Sequence, residues 1–368
     1  MTEQGPCPAK GTLIILATCF LKYFYPWPAS EQQVPLKLGA ILTTLAPMII
    51  VTGANGFIGS AMVWELNQRG ITDIICVDSV PLEERDLLKK LKYSEFLSKD
   101  DLWSYLLSFE SRKTKWIIHM GACSSTTETN WDFLKENNLE YSQKIFQWSA
   151  EHKVNVIYAS SAATYGAGEL GFDDSTDPEI LKPLNLYGES KVQMDRWALK
   201  QKRTPPNWYG LKFFNVFGPQ EYSKASMASV AFKAFQQIKS ESELGLFKSH
   251  NPKYKDGEQL RDFVYVKDVT SWICELMDKK PENGIYNMGF GQARTWLDLA
   301  GSVFRALDQP MKIRWLDVPA NIRDQYQYYT QARMEKWLTQ GLSQPKWSLE
   351  KAVEDYVKNY LTQEDPFL

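Results

Sequence analysis

Ser161, Tyr187, Lys191 and Lys224 are the side chains whose types and spacing could do chemistry on an alcohol. Tyr187 and Lys191 stand four apart in Tyr187-Gly188-Glu189-Ser190-Lys191, so on a helix both project from one face. A Tyr held near a cation can take a hydroxyl proton while hydride leaves the same carbon. Ser161 lies 26 residues earlier, after a strand-like run, where its hydroxyl would hold the reacting oxygen in register. One such set suffices for reversible oxidation. Lys224, just past the run that ends Phe214-Asn215-Val216-Phe217-Gly218-Pro219, offers a second proton carrier. Two carriers would let one pocket serve a carbon in both configurations, which implies an epimerase rather than a plain dehydrogenase. An exposed Tyr–Lys helix pair is nevertheless common. Spacing alone leaves Lys224 equally open as a phosphate contact or a surface charge.

The hydride needs an acceptor, and one is implied upstream. Gly53-Ala54-Asn55-Gly56-Phe57-Ile58-Gly59 follows an apolar run and opens a helical pattern. Gly53 would allow the tight turn, Gly56 a close backbone approach to a pyrophosphate, and Gly59 close packing of helix on strand. The helix N-terminus then offers unpaired N–H groups to phosphates. A glycine triplet also fits a plain strand–turn–helix corner; its context here favours a dinucleotide. Asp78 ends the second apolar run, where a carboxylate would bind the adenosine ribose and favour NAD. Arg85, Lys89, Lys90 and Lys92 follow, and a cation there could hold a 2′-phosphate and favour NADP. For Lys90 and Lys92 a solvated helix face is the simpler expectation. NAD or NADP stays open on these residues. With Lys191 and an oxidised nicotinamide beside it, Tyr187 is expected to titrate below the ordinary value of about 10.

These groups must be carried by ordered elements. Short apolar runs at 48–51, 74–77, 116–120, 154–158 and 208–214 alternate with helical stretches, and each polar motif follows a run. That pattern predicts an α/β fold, a Rossmann-type doubly wound parallel sheet with ligands at the carboxyl ends of its strands. Beyond Pro219 the alternation weakens. The expected division is a dinucleotide-binding part, 48–215 plus about 262–283, with 263–266 returning to the sheet. A smaller C-terminal α/β substrate part would hold about 216–261 and 284–368. Trp131, Trp296 and Trp337 are expected as packing residues. Residues 1–47 fit neither part. Their apolar stretch, 13–20, is closed by Lys22, Pro26 and Pro28 and is too short to span a bilayer. They read as a disordered extension or a mis-assigned start before Met48.

Composition narrows the partners. The 368 residues are 44% hydrophobic and 13% aromatic with a net charge of −2, so neither nucleic acid nor an acidic membrane surface is implied. Five Cys without a CxxC suit a reduced cytosol. His119, His152 and His250 share no ligand spacing, and no metal is expected.

From Met48 to about Leu361 the chain resembles the extended short-chain dehydrogenase/reductases and, within them, the ADP-L-glycero-D-manno-heptose 6-epimerase family. The resemblance rests on Gly121-Ala122-Cys123-Ser124-Ser125-Thr126-Thr127-Glu128, Tyr158-Ala159-Ser160-Ser161-Ala162-Ala163-Thr164-Tyr165-Gly166, Phe214-Asn215-Val216-Phe217-Gly218-Pro219 and Ser226-Met227-Ala228-Ser229-Val230-Ala231-Phe232. Arg261-Asp262-Phe263-Val264-Tyr265-Val266 also matches but is shared more widely. The resemblance implies that Tyr187 and Lys224 are alternative acid/bases assisted by Ser161 and Lys191. Phe57, Ile58, Asp78, Ser79, Arg85 and Lys99 would line the cofactor's adenosine end or backbone, and Asn138 the nicotinamide side. Asn215, Ser226, Arg261 and Tyr326 would hold the ADP-sugar, with Arg261 suited to its diphosphate.

The implied reaction oxidises C6″ of ADP-heptose with bound NADP, turns the ketone over and reduces its other face, without net redox. A cytoplasmic homopentamer making lipopolysaccharide core precursors would follow. Ser223 and Ala225 flank Lys224 where the family often has His and Gly. Arg85 stands for a family Lys. Three other readings are open. A nucleotide-sugar 4-epimerase would not need Lys224. A 4,6-dehydratase would usually carry Thr-Asp-Glu in place of Ser161-Ala162-Ala163. A redox-silent dinucleotide sensor would typically have lost Tyr187 or Lys191.

Overall fold

Four strands among the described residues are buried along their whole length: Met48–Thr52, Ile74–Asp78, Trp208–Phe213 and Gly284–Met288. Such strands need cover on both faces of a sheet. The computed structural model describes residues 48–319, 323 and 327–368; the expected extension 1–47 and Tyr326 lie outside them. In chain order the strands are β1 (Met48–Thr52), β2 (Ile74–Asp78), β3 (Glu95–Ser98), β4 (Thr114–His119), β5 (Asn155–Ser161), β6 (Trp208–Phe213), β7 (Asn215–Phe217), β8 (Leu244–Phe247), β9 (Leu260–Tyr265), β10 (Gly284–Met288), β11 (Ala293–Thr295) and β12 (Ile313–Leu316). Seven of them form one sheet in the order β10-β6-β5-β4-β1-β2-β3, and every neighbouring pair is parallel. The order reverses between β1 and β4, the point at which such sheets open a ligand crevice.

Strand residues alternate between two cores, as a period of two requires. Ile49 and Val51 join Val63, Leu66 and Tyr209 on one face. Met48 and Ile50 join Leu102, Ile117 and Phe146 on the other. A third core lies among the later elements, where Phe217, Phe235, Phe263, Phe304 and Tyr356 pack together. It is built on the sheet β11-β9-β7 and the pair β12-β8. Among the described residues no helix is long and apolar enough to cross a membrane.

The chain rejoins the main sheet later than its sequence suggests. The run expected there, 263–266, belongs mostly to β9, which pairs with β7 and β11 instead. The following helix, Val266–Lys279, packs on the first helix, Phe57–Gln68. It delivers the chain to β10, whose residues pair with β6 from Gly284 to Met288. A parallel strand beside β6 needs a helix-length crossover, so residues 284–288 complete the main sheet rather than the substrate part. β3, with exposed ends at Glu95 and Ser98, is a short polar edge that periodicity did not show.

One strand carries a charge into the interior. Lys212 of β6 is 1% exposed, and its ammonium donates to Asp195 Oδ2 at 2.7 Å and to Thr164 Oγ1 at 2.6 Å. Ser160 Oγ donates to the same Asp195 oxygen at 2.8 Å, and the Tyr158 hydroxyl to Oδ1 at 3.1 Å. Removing one partner would strand a buried charge. Lys212→Met is expected to lower stability by about 3–5 kcal/mol, with much of the loss recovered in Lys212→Met/Asp195→Asn, measured by urea unfolding.

Candidate active site

The glycine turn is built by close approach. Gly53 has φ +67°, and a Cβ there would lie 2.6 Å from Gly121 N. A Cβ on Gly59 would run into Gly53 O, so the helix can start against the turn only with glycine there. That helix, α1 (Phe57–Gln68), has no side-chain cap and no acidic residue in its first turn. Its first N–H groups therefore meet neither a capping side chain nor an acidic residue of their own turn, an arrangement that fits a pyrophosphate. Gly53, Gly56, Phe57, Ile58 and Gly59 all line one cleft of about 1050 Å³ at the carboxyl ends of the strands.

Asp78, Ser79, Arg85 and Lys99 line the same cleft. The Asp78 carboxylate is already partly engaged: Oδ2 accepts Asn55 N at 2.8 Å and Oδ1 accepts Val80 N at 2.9 Å. Its first task is thus to hold the loop after β2 against the glycine turn. Arg85 donates to Asn55 O at 2.8 Å, which brings a fixed cation to this end. Lys99 donates to Asn137 Oδ1 at 2.8 Å.

α2 (Leu186–Leu199) starts at Asn185, whose side chain accepts Gly188 N at 2.8 Å. A Cβ on Gly188 would meet Ala163 O at 2.8 Å, so glycine lets the helix start lie against the turn that follows Ser161. That contact brings Tyr187 and Lys191 to Ser161, and the three line the cleft together. Lys191 is buried, its ammonium 6.0 Å from the centre of the Tyr187 ring and 2.9 Å from Ala159 O, to which it donates. Burial pushes Lys191 down to about 8, opposed by Asp195 and Cys123. Its charge is therefore present at neutral pH and lost as pH rises through that value. The protein's own groups shift Tyr187 upward. Burial raises its phenol above the ordinary value, the Ser161 hydrogen bond pulls it down and Cys123 adds to the rise. Lys191 is turned to a backbone carbonyl and is not among the groups that lower it.

Lys224 sits on the helical turn Tyr222–Met227 and also lines the cleft. Its ammonium is 5.2 Å from the centre of the Phe57 ring, at the start of the cofactor helix. Burial lowers its titration, while Glu221 raises it and Lys233 lowers it further. Asn215 and Arg261 face the cleft too. Asn215 donates to Asp262 O at 3.0 Å. Arg261 donates to Leu260 O and Gln327 O and lies 5.5 Å over the Trp296 ring. The carboxylate of its neighbour Asp262 accepts the Phe290, Gly291 and Ala332 N–H groups. Ser226 falls in the Lys224 turn, but its side chain is outside the described set.

Two expectations need correction. Trp296 is a cleft residue beneath Arg261 rather than packing alone. Asn138 does not reach the cleft. It is fully buried on the π-helical turn Lys135–Glu140. Its amide is spent on Cys123 N at 2.8 Å, Cys123 O at 3.0 Å and Ser190 Oγ at 3.0 Å, and so it holds the cleft wall from behind. Sequence reading also missed Ser160, Asp195 and Lys212, which fix the Ser161 strand to the Lys191 helix. Their one local signal was a Lys inside an apolar strand.

A glycine turn opening onto a Ser–Tyr–Lys set defines a nicotinamide-dinucleotide enzyme. The chain belongs to the NAD dependent epimerase/dehydratase family, whose pattern it matches over residues 49–289. It is 47% identical over 332 aligned residues to the ADP-L-glycero-D-manno-heptose-6-epimerase of Fusobacterium nucleatum subsp. nucleatum, covering 87% of this chain and all of that one. The enzyme of the same description from Nitratidesulfovibrio vulgaris strain DP4 is 45% identical over 327, with the same coverage. The crystal structure of Helicobacter pylori ADP-L-glycero-D-manno-heptose-6-epimerase superposes with a TM-score of 0.70 at 26% identity, covering 85% of this chain and 96% of that one.

Gly59→Ala is expected to weaken dinucleotide binding at least tenfold, because the Cβ must push the helix off the turn. Fluorescence titration of the folded variant against the intact protein measures it.

Proposed function

We propose that the chain interconverts ADP-D-glycero-D-manno-heptose and ADP-L-glycero-D-manno-heptose by transient oxidation at C6″ of the sugar. The observation that supports this reading is that two groups able to carry a proton, Tyr187 and Lys224, line one cleft together with the glycine turn. The dinucleotide, when bound, supplies a reversible two-electron oxidation and a positive charge near Tyr187.

This chain's residues supply the rest. Ser161 Oγ holds the sugar hydroxyl, and Tyr187 Oη takes its proton. Lys191 holds the cofactor ribose and keeps its charge below about pH 8. Arg261 over Trp296, with Asn215, takes the ADP moiety. Rotation about the exocyclic bond then turns the carbonyl so that its other face meets the cofactor. The oxygen now lies toward Lys224, whose ammonium returns the proton. Burial lowers the titration of Lys224, which eases the release of its proton. Ser161-Ala162-Ala163 offers no acid for eliminating water, which favours epimerisation over dehydration.

Arg85 beside Asp78 supports NADP as the cofactor, the guanidinium holding the 2′-phosphate. The family resemblance extends the reading to a cytoplasmic homopentamer that supplies lipopolysaccharide core precursors.

Purified protein is expected to convert the D-glycero substrate to its L-glycero partner, followed by NMR, and to leave UDP-glucose unchanged. Tyr187→Phe and Lys224→Met should each cost about 10²–10⁴ in kcat, and the double variant should show no turnover. Full activity in the double variant would overturn the assignment. In a separate titration, Arg85→Ala should weaken NADP about tenfold and leave NAD within twofold.

A further inference from the structure

The segment that carries Lys224, residues 218–229, is fastened from two sides. On the inside, buried Glu221 accepts Gly218 N at 3.2 Å, Ser229 N at 2.6 Å and Ser229 Oγ at 2.8 Å, so one carboxylate closes the loop on itself. Gln220, also buried and with φ +81°, donates to Leu87 O at 2.8 Å. That bond ties the loop to the stretch just after Arg85.

On the outside lies a second fastening. The Tyr222 hydroxyl donates to Pro366 O at 2.6 Å, and the Tyr222 ring meets Phe367 edge-on at 5.5 Å. Leu368 packs on Phe57, Ala61 and Val266. Lys90 pairs with Asp365 at 2.7 Å and donates to Phe367 O at 3.2 Å. The Lys90 pair is exposed and contributes little. The tyrosine bond and the apolar contacts are the stronger hold. Four consecutive residues therefore touch the Lys224 turn, the stretch after Arg85 and the ring beneath the Lys224 ammonium. None of the four lines the cleft.

We propose that residues 365–368 form a strap that positions Lys224 over Phe57, so that the second proton carrier is held to the first turn of the cofactor helix. The strap acts through Tyr222 and Phe57 and touches no reacting atom. Its catalytic consequence rests on the reading of Lys224 as a proton carrier; its effect on the position of Lys224 does not. Among the described residues, the charged groups that act on Lys224 are Glu221 of its own turn and Lys233 of the helix Val230–Glu241. With the strap removed, the Lys224 turn loosens and the burial that lowers its titration diminishes.

The experiment compares the intact chain with a variant lacking residues 365–368 and with Tyr222→Phe. Lysines are acetylated competitively with acetic anhydride across a pH series, with and without NADP, and read by peptide mass spectrometry. The Lys224 midpoint is expected to rise in the shortened chain toward the ordinary value of about 10.4, and part of the way in Tyr222→Phe, while Lys191 stays in place. Turnover of ADP-heptose should fall about tenfold in kcat with KM within twofold. An unmoved Lys224 midpoint in both variants overturns the strap, whatever the enzyme turns over. A moved midpoint with full turnover supports the strap and removes Lys224 from the reaction. If the shortened chain does not fold, Tyr222→Phe and Phe367→Ala decide the matter.

Discussion

The carboxylate of Asp195 is the group on which the rest of the site depends. It stands one helical turn beyond Lys191 and receives Tyr158 and Ser160 from β5 and Lys212 from β6. Lys212 also donates to Thr164, whose hydroxyl bonds to Ser161 O at 2.8 Å. Ser161 is thus held through its preceding residue and through its own carbonyl, and the Lys191 helix is locked to the same point. A buried charge pair of this kind is costly to desolvate. It is retained to advantage only where its hydrogen bonds are complete, and here both Asp195 oxygens are used. What it supplies is register between strand and helix at the place where a fraction of an ångström matters.

The same economy of buried polar groups appears around the cofactor turn. Thr52 Oγ1 accepts Gly121 N at 3.1 Å and bonds His119 Nδ1 at 2.6 Å, while His119 Nε2 bonds Ser142 Oγ at 2.9 Å. Burial and the Lys191 cation push His119 down to about 3, so it stays neutral and acts as a structural bridge. Asn138 continues that bridge to Cys123 and Ser190, and Ser190 Oγ donates to Tyr187 O at 2.7 Å. A chain of short side chains thereby links the glycine turn to the backbone of Tyr187.

The substrate side is organised by backbone capture instead. Asp262 collects three N–H groups from distant loops, and Glu221 closes the Lys224 loop. Burial raises Asp262 to about 6, and the N–H groups oppose that rise. Arg261 lines the cleft over Trp296, while its neighbour's carboxylate is taken up by this loop cluster.

Much of this was legible in the residues. Apolar runs with a period suited to buried strands, a glycine at each tight approach and a Tyr–Lys spacing of one helical turn are local properties. They specified the parallel sheet, the phosphate turn and the Ser161–Tyr187–Lys191 set. The edge strands were not legible: β3 is short and polar, and β10 is told from the later segments only by its pairing with β6. Nor could the residues reveal that Asn138 turns inward, that Trp296 lies under Arg261, or that Lys212 meets Asp195. Each of those facts depends on which distant segments a side chain meets. The phenol of Tyr187 shows the same limit in its charge, since burial by the whole fold raises it and Lys191 is turned to Ala159 O instead. Periodicity and spacing act over one turn or one strand, and so the sequence by itself determined the elements and their reactive groups. Burial and partner choice act between elements, and only the tertiary structure decided which of those groups support the cleft from behind and which face into it.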